Sequence, residues 1–480
     1  MWATLLSWVF CGWYIALWSI FLLGLHVARK RYAKLPTSEP PVKCLSPDVA
    51  PGVSVLRPLR GLDTNLYENL EASFLQDYPN FEIIFSVAEQ GDAAIAIVQE
   101  LMERYPKVDA RLIIGQEKVG VNPKINNLIR PYREAKHDLL WVLDSNVLTH
   151  TTTLSRSVPL FTPESPGSRP IGLVHHLPFA VYPDTLLGSR VEQVYMCSTH
   201  SKMYLAINQV QVASCVTGKS CLYRKSDLVR AAEKKLARST ALSLVAPDHV
   251  EPGLATFGQY LGEDNEIGVA IWEELGMRHA MGGEVAGNTV GTMSFGKYFR
   301  RRVRWIRVRK YMVVASTLVE PFTECFLAGV LGSFAFCHLF SLPPIVFFPV
   351  QTALWFYHDL RMYRALVPSS PAFSSIRNPP HHDGPSFSYL QAWALREALA
   401  LPIWLFAMLG DTVGWRDDGT VYKVRRDGSV RELADDEHEA WVERVWAKVV
   451  ARWRGVRGPG YVELRPDDVE GRASSHAEAR

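Results

Sequence analysis

Between Met1 and Val27 there is no Asp, Glu, Lys or Arg, which excludes an ordinary solvated N-terminal arm. Other absences narrow the field further. Seven cysteines (Cys11, Cys44, Cys197, Cys215, Cys221, Cys325 and Cys337) are scattered, odd in number and without zinc-ligand spacing. That pattern fits neither a metal cluster nor a disulfide framework, and reduced cytosolic thiols are expected. Lys and Arg total 52 against 49 for Asp and Glu, a net charge of +3, so no general affinity for nucleic acid is expected. No segment repeats. The string Val216-Thr217-Gly218-Lys219-Ser220 lacks the leading glycine and the helix context of a phosphate loop, which argues against a nucleoside-triphosphatase.

What is present at the N-terminus is a run of Leu, Trp, Phe and Ile. At about 1.5 Å per residue it is long enough to cross a hydrocarbon core of roughly 30 Å. No basic residue precedes it and no small-x-small cleavage pattern follows, so a retained anchor over residues 1–28 is expected rather than a signal peptide. Arg29, Lys30, Arg31 and Lys34 come next. The positive-inside rule then places the N-terminus outside or in a lumen and the following segment in the cytosol.

After a Pro-rich linker at 29–51, apolar runs at 52–57, 82–88, 110–114 and 138–143 read as strands, with helical spacing at 65–76, 93–105 and 124–135 between them. Such alternation predicts a doubly wound α/β sheet, here a Rossmann-like domain over 52–295. A short strand at 171–176, helices at 184–206 and 265–275, and a polar surface insertion at 230–256 complete that domain. A basic interfacial helix is expected at 296–312 and membrane helices within 313–411, at 322–340, 343–357 and 389–409. The last holds Arg396 and Glu397, which leaves an interfacial helix as its alternative reading. A polar loop at 361–388 interrupts this region. A charged tail at 412–480, with a solvated helix near 434–454, ends the chain.

In doubly wound sheets, ligands gather beyond the carboxyl ends of the strands, where Asp92 and Asp144 fall. A nucleoside diphosphate sugar needs positive charge near its departing phosphates. Asp144, followed by Ser145 and Asn146, can hold a hard divalent cation such as Mg²⁺ or Mn²⁺; it can equally cap the next helix. Asp92 reads as a turn former. Asp264 can act as general base on an acceptor hydroxyl, one carboxylate sufficing for inverting displacement, or can cap the helix it begins. Arg300 to Lys310 form a dense basic run around Trp305. Lipid headgroups explain most of that charge, leaving room for one arginine on a pyrophosphate. His200 reads as a polar surface histidine.

The segments Gly52-Val-Ser-Val-Leu-Arg-Pro-Leu-Arg-Gly61, Gly120-Val-Asn-Pro-Lys-Ile-Asn-Asn-Leu128, Trp141-Val-Leu-Asp-Ser145 and Leu173-Val-His-His-Leu-Pro178 resemble the ceramide glucosyltransferase family. So do Glu192-Gln-Val-Tyr195, Cys215-Val-Thr-Gly-Lys-Ser-Cys221 and Arg301-Arg-Val-Arg-Trp305. The likeness runs from about residue 52 to 340. The Arg-x-x-Arg-Trp pattern is shared with cellulose, chitin and hyaluronan synthases. The resemblance implies a GT-A-type fold and a cytosol-facing enzyme of the Golgi or ER membrane, moving glucose from UDP-glucose to ceramide with inversion. It implies that Asp92 contacts the uridine side of the donor and that Asp144 binds the metal, through Asp-Ser-x rather than Asp-x-Asp. It further implies that Asp264 is the base, that Arg304 and Trp305 close over pyrophosphate and acceptor, and that Lys124 lies near the donor. His200 and Cys215 match positions associated with the active site, with inhibitor binding and with thiol reagents. Asn265-Glu266-Ile267 stands where an aromatic is more usual, which leaves the acceptor pocket open to difference. The insertion, the polar loop and the tail exceed the compact animal form and imply a fungal-type version. Two rivals stand beside this resemblance: a polymerising or dolichyl-phosphate sugar synthase, and a membrane scaffold whose α/β domain only binds ligand.

Overall fold

The computed structural model describes residues 1–33, 49–162, 167–241, 251–371, 387–414 and 420–433. Most of the expected linker, the middle of the insertion, most of the polar loop and nearly all of the tail, with its helix near 434–454, lie outside these residues. The chain divides into two compact units, residues 1–413 with 424–431, and residues 414–423 with 432–480. Everything below concerns the first.

Helix α1 (Trp2–Tyr32) leads into β1 (Val53–Leu59), α2 (Leu66–Phe74), β2 (Phe81–Val87), α3 (Ala94–Arg104), β3 (Asp109–Ile114), α4 (Pro123–Glu134) and β4 (Leu139–Leu143). These four strands lie parallel in the order β3-β2-β1-β4. Every residue of β1 and β4 is buried, as expected of parallel strands covered on both faces. On one face Val53, Val55, Ile83 and Phe85 pack against Leu70 and Phe74 of α2 and Val98 and Leu101 of α3. On the other, Leu56, Ile84, Leu140 and Val142 pack against Ile125, Leu128 and Ile129 of α4. The expected doubly wound half is present.

The second half departs from it. After β5 (Val147–Leu148) and α5 (Thr153–Ser157) come β6 (Ile171–Pro183), α6 (Leu187–Tyr195), a π-helical turn (Met196–His200), α7 (Ser201–Val210), β7 (Ser220–Arg224), α8 (Lys225–Ala241), α9 (Glu263–Leu275) and β8 (Arg278–Gly291). The sheet continues β4-β7-β6-β8-β5, with β7 antiparallel to both β4 and β6, so it is mixed. Strand β6 runs seven residues past the expected 176, and β8 was not expected at all. The expected surface insertion is also corrected at its C-terminal end. Leu254, Ala255 and Phe257 form a buried 3₁₀ turn in the core beneath α4 and α8.

Helices α10 (Phe295–Arg309), α11 (Val314–Val319), α12 (Cys325–Phe340), α13 (Pro344–Leu366) and α14 (Phe387–Met408) follow. Among the described residues α1 alone is a single helix long and apolar enough to cross a membrane. The pair 314–323 and Cys325–Phe340, bent by 69°, meets the same test together. The three expected C-terminal spans are therefore not matched one for one. Helix α13 continues from its apolar start through Asp359, Arg361 and Arg364, and α14 carries Arg396 and Glu397. Arg364 is exposed, whereas Asp359, Arg396 and Glu397 are buried and paired internally. Arg396 pairs with Glu324 at 2.5 Å and Glu397 at 2.6 Å, and Asp359 pairs with Lys202 at 2.8 Å in full burial. Apolar side chains still face outward along α1 (Trp2, Trp8, Ile15), α12 (Val330, Phe334) and α13 (Ile345, Leu354).

Candidate active site

Asp144 is the first residue beyond β4, and its N–H donates to the Lys219 carbonyl at 3.2 Å. Its Oδ1 lies 2.7 Å from Lys124 Nζ and its Oδ2 2.9 Å from Lys219 Nζ. Lys124 also reaches Glu263 Oε1 at 2.9 Å. The start of α4 brings Lys124 here. The Asn122 side chain caps that helix by accepting from the Lys124 N–H at 2.8 Å, with Pro123 in the first turn, an arrangement that satisfies an otherwise orphaned donor. The Asn122 amide then donates to Glu263 Oε2 at 2.9 Å and to the Tyr260 carbonyl at 2.7 Å. Gly120 permits the approach, since a Cβ there would lie 2.4 Å from the Gly258 oxygen. The end of β4 and the starts of α4 and α9 are thereby tied together.

Helix α9 begins at Glu263 with Gly262 as its cap residue, so neither carboxylate takes the capping role open to it. Asp264 borders a small cavity together with Lys124, Cys221, Tyr223, Leu254 and Ile267. Gly218 lies so close that a Cβ would fall 2.6 Å from Asp264 Cβ and Oδ2. Burial, reinforced by Glu263 and opposed by Lys124, pushes the Asp264 carboxyl up to about 6. Asp144 behaves in the opposite way. Burial works against its charge, but Lys124 and Lys219 hold it well below the usual carboxylate range. Burial likewise opposes the charge of Lys124, and Asp144, Glu263 and Asp264 keep it well above its ordinary value.

Asp92 is placed otherwise. It accepts from the Gly61 N–H and the Ala94 N–H, each at 2.9 Å, and so fastens the turn after β1 to the start of α3, as its turn-forming alternative predicts. Ser145 donates to Asp63. Asp144 with Lys124, and Asp264 through its charge on Lys124, form one constellation.

Cys215 and Trp305 pack on the same apolar cluster as Tyr195, and the His200 ring stacks 5.3 Å from Tyr204 and lies 5.8 Å from Tyr195. His200 is not the surface histidine expected from its sequence. It sits in the π turn, where burial and the nearby Arg302 and Arg309 push its pKa down to about 3. Burial also pushes the Cys215 thiol up to about 12. The basic run is corrected too, because most of its charge is spent inside the protein rather than on headgroups. Arg301 pairs with Glu192 at 3.0 Å. Arg302 lies 3.4 Å over the Tyr195 ring and 4.5 Å from Trp305. Arg307 donates to the Thr412 carbonyl at 2.7 Å, and Arg309 pairs with Glu320. Arg304 is half-buried on the same helix, and Arg300 is exposed.

Lys219, Asn122 and Asn146 were assigned no role of their own from sequence. Lys219 donates to Asn146 Oδ1 at 2.9 Å, as it does to Asp144. The Asn146 amide donates to Asn288 at 3.1 Å, which turns its oxygen toward Lys219. No group of three His, Cys, Asp or Glu suited to a metal occurs among the described residues. Two hard oxygens nevertheless converge on one cationic point at Asp144 and Asn146. That donor chemistry fits Mg²⁺ or Mn²⁺, with phosphate oxygens and water completing the shell.

The model of glycosyl transferase family 21 matches residues 11–232 and 250–430. A ceramide glucosyltransferase of Komagataella phaffii is 35% identical over 469 residues, covering 88% of this chain and 90% of the relative. One from Candida albicans is 31% identical, covering 80% and 89%. Among solved structures, a mannosyltransferase from Pyrobaculum calidifontis in complex with GDP-Man and Mn²⁺ aligns at 17% identity and a TM-score of 0.39, over 76% of this chain and 98% of that one. The chain belongs to glycosyl transferase family 21, and is a glycosyltransferase.

Proposed function

We propose that this chain transfers glucose from UDP-glucose to the primary hydroxyl of ceramide, with inversion, to give β-glucosylceramide. The observation that carries the proposal is the place of Asp264, which borders the same small cavity as Lys124, the lysine that holds Asp144 at the strand ends; burial pushes its carboxyl up to about 6. A base of that strength is mostly ionised at pH 7 yet keeps appreciable proton affinity. The substrates are taken from the named relatives.

In the proposed step Asp264 accepts the proton of the ceramide hydroxyl as that oxygen attacks the anomeric carbon. The bond from that carbon to the diphosphate breaks, and UDP departs. A divalent cation at Asp144 and Asn146 would supply positive charge for the departing diphosphate. Lys124 orients Asp144 and moderates the charge of Asp264. Arg304 and Trp305 close over pyrophosphate and acceptor, and Asp92 fixes the loop beneath the uridine side. His200, neutral at physiological pH, and Cys215 line the acceptor side. With α1 as anchor and α12 to α14 forming the membrane region, the site opens at the cytosolic surface of a Golgi or ER membrane, where an almost wholly apolar acceptor can reach it.

The test incubates membranes containing the chain with labelled UDP-glucose and ceramide, with and without EDTA. Labelled glucosylceramide of β configuration is expected, and EDTA should suppress it. Absence of a labelled glucosyl lipid overturns the proposal, whereas transfer unchanged by EDTA overturns only the metal role of Asp144.

A further inference from the structure

The string Val216-Thr217-Gly218-Lys219-Ser220 is not a phosphate loop, yet it delivers its lysine into the site. Strand β7 pairs antiparallel with β4, setting Ser220 opposite Leu143, so Lys219 and Asp144 are the next pair outward. The Lys219 ammonium lies 2.9 Å from both Asp144 Oδ2 and Asn146 Oδ1. Its side chain is 12% exposed, so these contacts replace most of its water. The other Asp144 oxygen is held by Lys124. One ammonium therefore stands at the point where the two oxygens suited to a hard cation converge.

We propose that Lys219 is a placeholder cation: it occupies the Asp144–Asn146 position before the donor binds and yields it when a divalent cation arrives with a nucleoside diphosphate. Its ammonium then turns to the phosphate oxygens. This inference rests on the metal role proposed for Asp144. Its physical basis is competition, since an ammonium and a divalent cation cannot share the same two oxygens. Filling the position with a tethered charge keeps the Asp144 side chain set without a metal, and makes free metal bind poorly until phosphate offers the lysine another partner.

The sign of one measurement separates a placeholder from a structural lysine. Purified full-length protein is titrated with Mn²⁺ by electron paramagnetic resonance in the absence of nucleotide, and UDP binding is measured by calorimetry without metal. Lys219→Met and Lys219→Gln should bind Mn²⁺ at least tenfold more tightly than the parent and bind metal-free UDP several-fold more weakly. Lys219→Arg, which keeps the charge, should leave Mn²⁺ binding weak. UDP binding with saturating Mn²⁺ reports whether each variant holds a folded site. Equal or weaker Mn²⁺ binding in both neutral variants overturns the proposal, as does tight Mn²⁺ binding by the parent without UDP. Neither readout depends on glucosyl transfer, so failure to form glucosylceramide would strike the proposed function and leave this comparison intact.

Discussion

Replacing Asp264 by Asn should abolish transfer and, at neutral pH, stabilise the protein. The carboxyl is raised from its ordinary 3.8 to about 6 by burial and by Glu263. That rise corresponds to about 3 kcal/mol of preference for the protonated form in the folded state. The group contributes most to stability below pH 3.8, and the contribution is lost as pH rises through 6, because the folded chain binds the proton more tightly than the unfolded one. At pH 7.5 the ionised carboxylate therefore costs the fold up to about 3 kcal/mol, a cost that a neutral isostere removes. Thermal denaturation of detergent-solubilised parent and Asp264→Asn should show a higher transition temperature for the variant at pH 7.5 and a shrinking difference toward pH 5. The parent's transfer rate should be half-maximal near pH 6 and fall about tenfold per pH unit below it. UDP binding should persist in the variant. A variant less stable than the parent at pH 7.5, or a stability difference that ignores pH, would refute the assignment of burial as the cause.

Gly218→Ala places a Cβ 2.6 Å from the Asp264 carboxyl oxygen and should lower turnover by tenfold or more with UDP affinity kept; steady-state kinetics and calorimetry check it. The Cys215 thiol, pushed up to about 12 by burial, should react with maleimide at pH 7 on the order of a thousandfold more slowly than a free cysteine, as mass spectrometry of timed samples would show. Arg302→Lys keeps the charge but loses the flat guanidinium over Tyr195 and Trp305, so transfer should drop while the protein stays in the membrane fraction. Arg300→Lys, at an exposed position, should change neither; equal behaviour of the two variants would restore the headgroup explanation for the whole run.

The inner parallel strands were legible because burial on both faces favours apolar runs, unbroken in Leu139–Leu143 and interrupted only by Ser54, Arg57 and Pro58 in Val53–Leu59. Strand β8 was not, because its pattern is broken by Gly282, Gly283, Glu284, Asn288 and Thr289, and its pairing with β6 is stated by neither chain segment alone. The same limit hid Lys219. Its neighbours in sequence suggest a failed phosphate loop, and only the antiparallel pairing of β7 with β4 brings it to Asp144. Asp144 and Asp264 could be picked out from their places at element ends. The opposed shifts of their proton affinities could not, since that of Asp264 arises first from burial and that of Asp144 from lysines 20 or more residues away in sequence. The arginine run misled for a similar reason: its partners Glu192, Glu320 and Thr412 lie in three other segments.

In the proposed mechanism the two carboxylates divide their work through Lys124. Asp144 has an ammonium on each oxygen and stays charged under any physiological condition, which suits a group that must hold positive charge and would fail as a base. Asp264 shares only the Coulomb field of Lys124, while Glu263 takes the direct contact at 2.9 Å, so Asp264 retains the proton affinity that a base needs. Environments that push two nearby carboxyls apart assign their roles. Glu263 is what enforces the difference here: by occupying Lys124 and the Asn122 amide, it keeps both away from Asp264 and adds its own repulsion. Under the proposed mechanism the Glu-Asp order at the start of α9 therefore matters, since exchanging the two would give the proposed base the direct lysine contact that Glu263 now holds.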